Sequence, residues 1–172
     1  MTHPVPTAHL ERIMRDAHAR TLELVAGLDD DQLIGPKLPI VNPLLWEIGH
    51  AAWFHEKFIL RRNGETPSLL PDGDALYDSI AISHDVRWDL PLVPLRGILA
   101  YLERVLEATL ERLGGRRMAS ADESYLYQLT TFHEDMHTEA YTWSRQTQTC
   151  AAGVQNCQPR PQLRPTVSRC TK

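Results

Sequence analysis

Apolar residues recur every three to four positions along four long stretches of this chain, a spacing that only an α-helix turns into a continuous face. In the first stretch Leu10, Ile13, Met14, Ala17, Leu24, Val25 and Leu28 share a side, with Thr7 placed to cap the start and Gly27 the exit. The second opens with Asn42 as cap and Pro43 in the first turn, runs to about Arg62, and meets a stop signal at Asn63-Gly64. Trp46, Gly49, His50, Trp53 and Phe54 lie on one of its faces, and Phe58 continues that face. The third, about 95–113, aligns Ile98, Leu102, Val105, Thr109 and Leu113 before Gly114-Gly115. The fourth begins at a capping box, Ser120 with Glu123, and carries Leu126, Leu129, Thr130, His133, His137, Ala140 and Ser144 inward to about Thr147. The pattern predicts an all-α protein, an antiparallel four-helix bundle whose second and third helices are joined by a long ordered connection. That connection, 63–95, is rich in Pro, Gly and Asp, yet LYDSIAISHDVRWDLPL within it is apolar and aromatic enough to pack.

After Gln148 the periodicity stops. All 22 acidic residues lie at or before Glu139, so the first 139 residues set 13 basic against 22 acidic side chains, while the last 33 hold five basic and no acidic ones. Cys150, Cys157 and Cys170 also sit there, in no zinc-binding spacing and in an odd number that makes a poor disulfide framework. The expected organisation is one domain over 1–147 and an irregular, disordered tail over 148–172, of the composition that a frameshift or truncation leaves. The net charge of −4 argues against nucleic acid as a partner. No apolar run approaches the roughly 20 residues of a membrane span. The start of the chain lacks a signal-peptide pattern, so the expected location is the cytoplasm.

The chemistry concentrates in His133-Glu-Asp-Met-His137. Side chains at i and i+4 are neighbours on a helix, so two imidazoles at that spacing can point at one ion. One histidine on an apolar stripe is ordinarily a hydrogen-bonded core residue. Two on the same inward stripe, with His50 on the aromatic face of another helix, point instead to a metal held by His50, His133 and His137. His55, about 140° round from His50, is expected at the surface, as are His3, His9 and His18, with His84 in a capping or surface role. The segment also fits His-Glu-x-x-His, the helix of metalloproteases, but nothing downstream of Glu139 is acidic or histidine to supply a third protease ligand. Three neutral imidazoles with open positions suit zinc or iron(II) alike.

The stretches NPLLWEIGHAAWFHEKFILRR, YDSIAISHDVRW and YQLTTFHEDMHTEAYTWSRQT together resemble the N-terminal DinB-like domain of the ergothioneine-type sulfoxide synthases, with the selenoneine branch closest. The resemblance covers about residues 8–147. It implies a DinB-like bundle with iron(II) on His50, His133 and His137. The implied reaction uses O2 to join sulfur or selenium, from a thiol or selenosugar donor, to trimethylhistidine. It further implies that Met136 faces the imidazole substrate and that Arg87 binds an anionic donor. Members of that family carry a second domain, similar to formylglycine-generating enzymes, and this chain stops where it is expected to begin, so a separate catalytic domain would be a partner. Two other readings compete: a stand-alone DinB-like thiol transferase using zinc or nickel, and a truncated bundle without catalysis.

Overall fold

A computed structural model describes residues 3–151 apart from residue 65; of the tail expected over 148–172, residues 148–151 continue the last helix instead and 152–172 lie outside the described residues. The described residues form six α-helices: α1 (Thr7–Val25), α2 (Asp30–Ile34), α3 (Leu44–His55), α4 (Gly73–Tyr77), α5 (Leu95–Leu113) and α6 (Ala121–Ala151). Among them there is no strand, only a single bridge between Pro6 and Met118. No helix among them is long and apolar enough to cross a membrane.

The predicted signals hold at the end of α5 and at the start of α6. Gly114 takes a left-handed conformation, φ 60°, and its N–H bonds the Glu111 carbonyl at 2.8 Å, which closes α5. At the start of α6, the Glu123 N–H donates to Ser120 Oγ at 3.2 Å and the Ser120 N–H to Glu123 Oε2 at 3.0 Å, the reciprocal pair of a capping box. Two other starts differ from expectation. Pro6 rather than Thr7 precedes α1, and the Thr7 hydroxyl donates to the Arg116 carbonyl. Pro43 precedes α3, while Asn42 spends its side chain on tertiary contacts, donating to Glu47 Oε1 at 2.8 Å and accepting from Arg87 at 2.8 Å.

Helix α3 occupies the centre. It packs on α2, α4, α5 and α6, and Leu44, Leu45, Trp46, Ile48, Ala51, Ala52 and Trp53 are all buried, so the helix has no solvent face. It does not run unbroken to Arg62: Glu56–Leu60 forms one π-helical turn, closed by the Arg61 N–H on the Glu56 carbonyl at 2.9 Å. Helix α1 covers α6 and α5 from the other side, burying Leu10, Met14 and Ala17.

The connection between α3 and α5 is ordered, as its aromatic content implied, and contains α4 and a 3-10 turn at His84–Val86. Several contacts fasten it to α3 and its π turn. Trp46 Nε1–H donates to the Leu76 carbonyl at 2.8 Å, Trp53 Nε1–H to Asp74 Oδ1 at 2.7 Å, and the Leu69 N–H to Glu56 Oε1 at 2.8 Å. Arg61 pairs with Asp74 at 2.6 Å and is largely covered.

Candidate metal centre

His50 reaches the interior because α3 is enclosed on all sides, and His133 and His137 reach it because they stand one turn apart on the face of α6 that packs on α3. One nitrogen from each of the three lies within 4.8 Å of the others. His133 Nε2 and His137 Nε2 are 3.3 Å apart. That is the separation of two nitrogens sharing one ion at roughly 2.0–2.1 Å with a bond angle of about 105–110°.

The outer nitrogens are held as metal ligands require. His50 Nδ1 lies 2.7 Å from the Tyr77 carbonyl oxygen, so it carries the proton and Nε2 keeps its lone pair. His137 Nδ1 lies 2.9 Å from Glu47 Oε2, a carboxylate partner that orients the ring. His133 Nδ1 is buried and has no partner, and its ring is gripped by packing instead, stacked on Phe54 at 3.7 Å. Trp46 stacks on His50 at 4.8 Å with planes 9° apart. Removal from water lowers the His50 pKa to about 4, with the Tyr77 carbonyl pulling weakly the other way. Burial, then the neighbouring His137 and His50, lowers His133 to about 2. Both rings are therefore neutral at pH 7, the form that binds a metal. Three convergent imidazoles, one orphaned buried nitrogen and a carboxylate behind one ring fit a divalent transition metal.

The other expected site residues lie nearby with different surroundings. Arg87 stacks over Trp46, its guanidinium carbon 3.9 Å from the ring centroid. Its Nη1 donates to Asn42 and its Nη2 to the Ile82 carbonyl at 3.2 Å, while Nε is buried without a partner. Burial lowers its pKa. Met136 is on the outward side of α6, with 55% of its surface exposed. His84 Nε2 contacts the Val41 carbonyl at 2.6 Å.

Two histidines assigned to the surface are interior. His55 is buried and its Nε2 sits 3.0 Å from Glu134 Oε2, whose other oxygen accepts from Thr21 at 2.8 Å. His18 is also buried, with Nε2 2.8 Å from Glu103. The wheel angle of His55 was right; the expectation failed because α3 is surrounded and α1 closes over the side where His55 points. Glu47 and Tyr77, which hold the two ligand rings, were not anticipated either. Glu47 stands three residues before His50 and next to Trp46, a carboxylate at the start of an apolar helix that only a partner could keep buried.

Comparison with known proteins places the chain in a family. The chain is 33% identical over 142 residues to a protein named hercynine oxygenase from Mycobacterium tuberculosis, covering 81% of this chain and 32% of that protein. It is 34% identical over 125 residues to the hercynine oxygenase of Mycolicibacterium smegmatis, covering 72% of this chain and 28% of the relative. With that of Mycolicibacterium thermoresistibile the figures are 31% over 134 residues, 77% and 29%. The chain thus spans about a third of the length of these relatives. The family profile described as DinB superfamily matches residues 13–140, a range that includes all three histidines, and the chain belongs to that superfamily.

Proposed function

We propose that residues 1–147 are the iron-binding domain of a hercynine-oxygenase-like enzyme, an antiparallel four-helix bundle of the DinB type working in the cytoplasm. The observation that carries the reading is the convergence of His50, His133 and His137, with the Tyr77 carbonyl and the Glu47 carboxylate fixing two of the rings from behind. Iron(II), when bound, supplies O2 activation for forming a carbon–sulfur or carbon–selenium bond on trimethylhistidine. The relatives' printed name supports a hercynine-type substrate.

The chain's own residues contribute positioning and dryness. Trp46 and Phe54 wall His50 and His133 from water and keep the rings from rotating. Arg87 offers a desolvated guanidinium beside Trp46 to an anionic thiol or selenosugar donor, with its unpartnered Nε–H as the first free donor. Met136, exposed on α6, contributes an apolar contact for the imidazole once a second catalytic domain, supplied by a longer or a separate polypeptide, closes over the centre.

Anaerobic purification with iron(II), followed by metal analysis of the wild type and of His133→Ala and His137→Ala, tests the reading. Near-stoichiometric iron that both variants lose is the expected result. Tight zinc or nickel in place of iron would refute the iron assignment and favour a thiol transferase, and absence of any metal would show three core histidines.

A further inference from the structure

Asn42 stands directly before Pro43, whose ring biases the preceding residue toward extended backbone and so sets where the Asn42 side chain starts. An asparagine at the mouth of a helix ordinarily caps it, yet the start of α3 has no side-chain cap. The amide of Asn42 faces two opposite charges instead. Its Nδ2–H donates to Glu47 Oε1 at 2.8 Å, five residues on in the first turn of α3, and its Oδ1 accepts from Arg87 Nη1 at 2.8 Å. The second oxygen of Glu47, Oε2, faces His137 Nδ1 at 2.9 Å. A row of hydrogen bonds therefore runs from Arg87 through Asn42 and Glu47 to a histidine of the cluster.

The two ends of this row have reason to collapse onto each other. Arg87 is half-buried and its other polar contacts are neutral, the Ser79 and Ile82 carbonyls at 3.5 and 3.2 Å. The charge of Glu47 offsets part of the burial of that guanidinium. A guanidinium and a carboxylate that meet directly pair bidentately, which occupies both carboxylate oxygens and would leave none for His137. An amide between them prevents this, because it donates on one side and accepts on the other. An aspartate of the same size could only accept, and an aliphatic side chain could do neither.

We propose that Asn42 is a positioning residue of the metal centre, turning the Glu47 carboxylate toward His137 and holding Arg87 off that carboxylate. The inference rests on the metal reading of the three histidines and adds to it the device that keeps His137 oriented. The same separation leaves the Arg87 guanidinium uncommitted to Glu47, as an anion-binding group must be.

Asn42→Ala removes both contacts of the amide, whereas Asn42→Asp keeps its size and its acceptor for Arg87 and loses only the donor to Glu47. Nuclear magnetic resonance of metal-free protein, with chelator present, reads the Nδ1 protons of His137 and His50. Both variants should speed solvent exchange of the His137 proton at least about tenfold and leave that of His50, on the Tyr77 carbonyl, unchanged. A merely structural Asn42 would shift both protons alike or neither, and either result overturns the proposal. So does a His137 proton that Asn42→Asp leaves as protected as in the wild type. In chelator competition with zinc, both variants should bind at least about tenfold more weakly. Arg87→Gln added to Asn42→Ala should recover at least about threefold of that loss, since nothing then draws Glu47 away, and no recovery refutes the separating role. Variants that bind zinc like the wild type overturn the proposal and leave the metal reading standing. A wild type without affinity for zinc or iron(II) defeats the metal reading, and the proton exchange then decides on Asn42 by itself.

Discussion

Gly49→Ala separates two effects that usually act together. On secondary-structure grounds the change is favourable, because alanine in a helix interior is preferred over glycine by about 1 kcal/mol. In this fold the added methyl would lie 2.8 Å from Tyr77 Cδ1 and closer still to Cε1 and Cζ. Tyr77 is fully buried against Trp46 and the α5 side of the core, so its ring cannot swing into solvent. Overpacking of this kind costs about 1–3 kcal/mol and more when the obstacle is rigid, so the net expectation is a loss of about 1–2 kcal/mol. In a domain of this size that corresponds to a drop in Tm of roughly 2–8 °C. The second consequence is specific to the centre: displacing Tyr77 moves the carbonyl that fixes His50, and losing such an outer partner weakens metal binding about 10–100-fold. Urea titration of the metal-free chain and a competition assay with a chromogenic chelator read the two effects separately. Gly97→Ala is the internal comparison, since its methyl would meet only the Cγ1 of half-buried Val93 in the preceding connection. A Gly49→Ala protein as stable as the wild type or more so, with unchanged metal affinity, would refute the packing argument.

Other expectations follow from the same contacts. Glu47→Gln keeps the shape of the His137 partner but removes its charge, so affinity for a divalent metal should fall about 10–100-fold in the chelator competition with little change in the far-ultraviolet spectrum. His55→Ala strands the buried Glu134 carboxylate and should cost about 3 kcal/mol in urea unfolding, whereas His9→Ala, on an exposed residue, should cost almost nothing. In metal-free protein, His50 and His133 stay unprotonated down to about pH 4 and about 2, while in the unfolded chain they take up protons below about 6.5. The unfolded state then binds up to two more protons, so stability falls on acidification between about pH 6.5 and 4, by at most about 2.7 kcal/mol per unit. His50→Gln should remove about half of that slope in urea titrations at stepped pH.

The parts of the structure legible in the sequence are those fixed by neighbours in the chain. The bounds of α5, the capping box of α6 and the shared face of His133 and His137 depend on spacings of three to seven residues, and the structure has them where the spacing put them. His55 and His18 were misplaced because their burial depends on which helix becomes central. A helix wheel shows only that His55 and His50 diverge; it does not show that α1 and α6 fill the space on the far side. The Tyr77 carbonyl was unreadable for a related reason. It is a backbone atom 27 residues from His50, and no side-chain pattern announces its role. Within the connection, α4 is too short to display a period of its own, and its place is set by the Trp46 and Trp53 indoles that bind its first and last turns.

The π turn at Glu56–Leu60 bears on how this chain can change over evolutionary time. A π turn holds one residue more in its hydrogen-bonded ring than an α turn, so it can take up a residue without rotating the helix on either side. Upstream, His50 is pinned by Tyr77; downstream, Glu56 is tied to Leu69 and to the Tyr101 hydroxyl, and Arg61 to Asp74. The surplus residue is stored in the turn between them, so length variation in this helix is absorbed there and the register of the histidine is spared. Deleting one residue from 57–60 should restore a plain α-helix and leave His50 and Arg61 in their present register. The histidine cluster therefore tolerates a change of length six or more residues after His50 that would be ruinous one turn earlier.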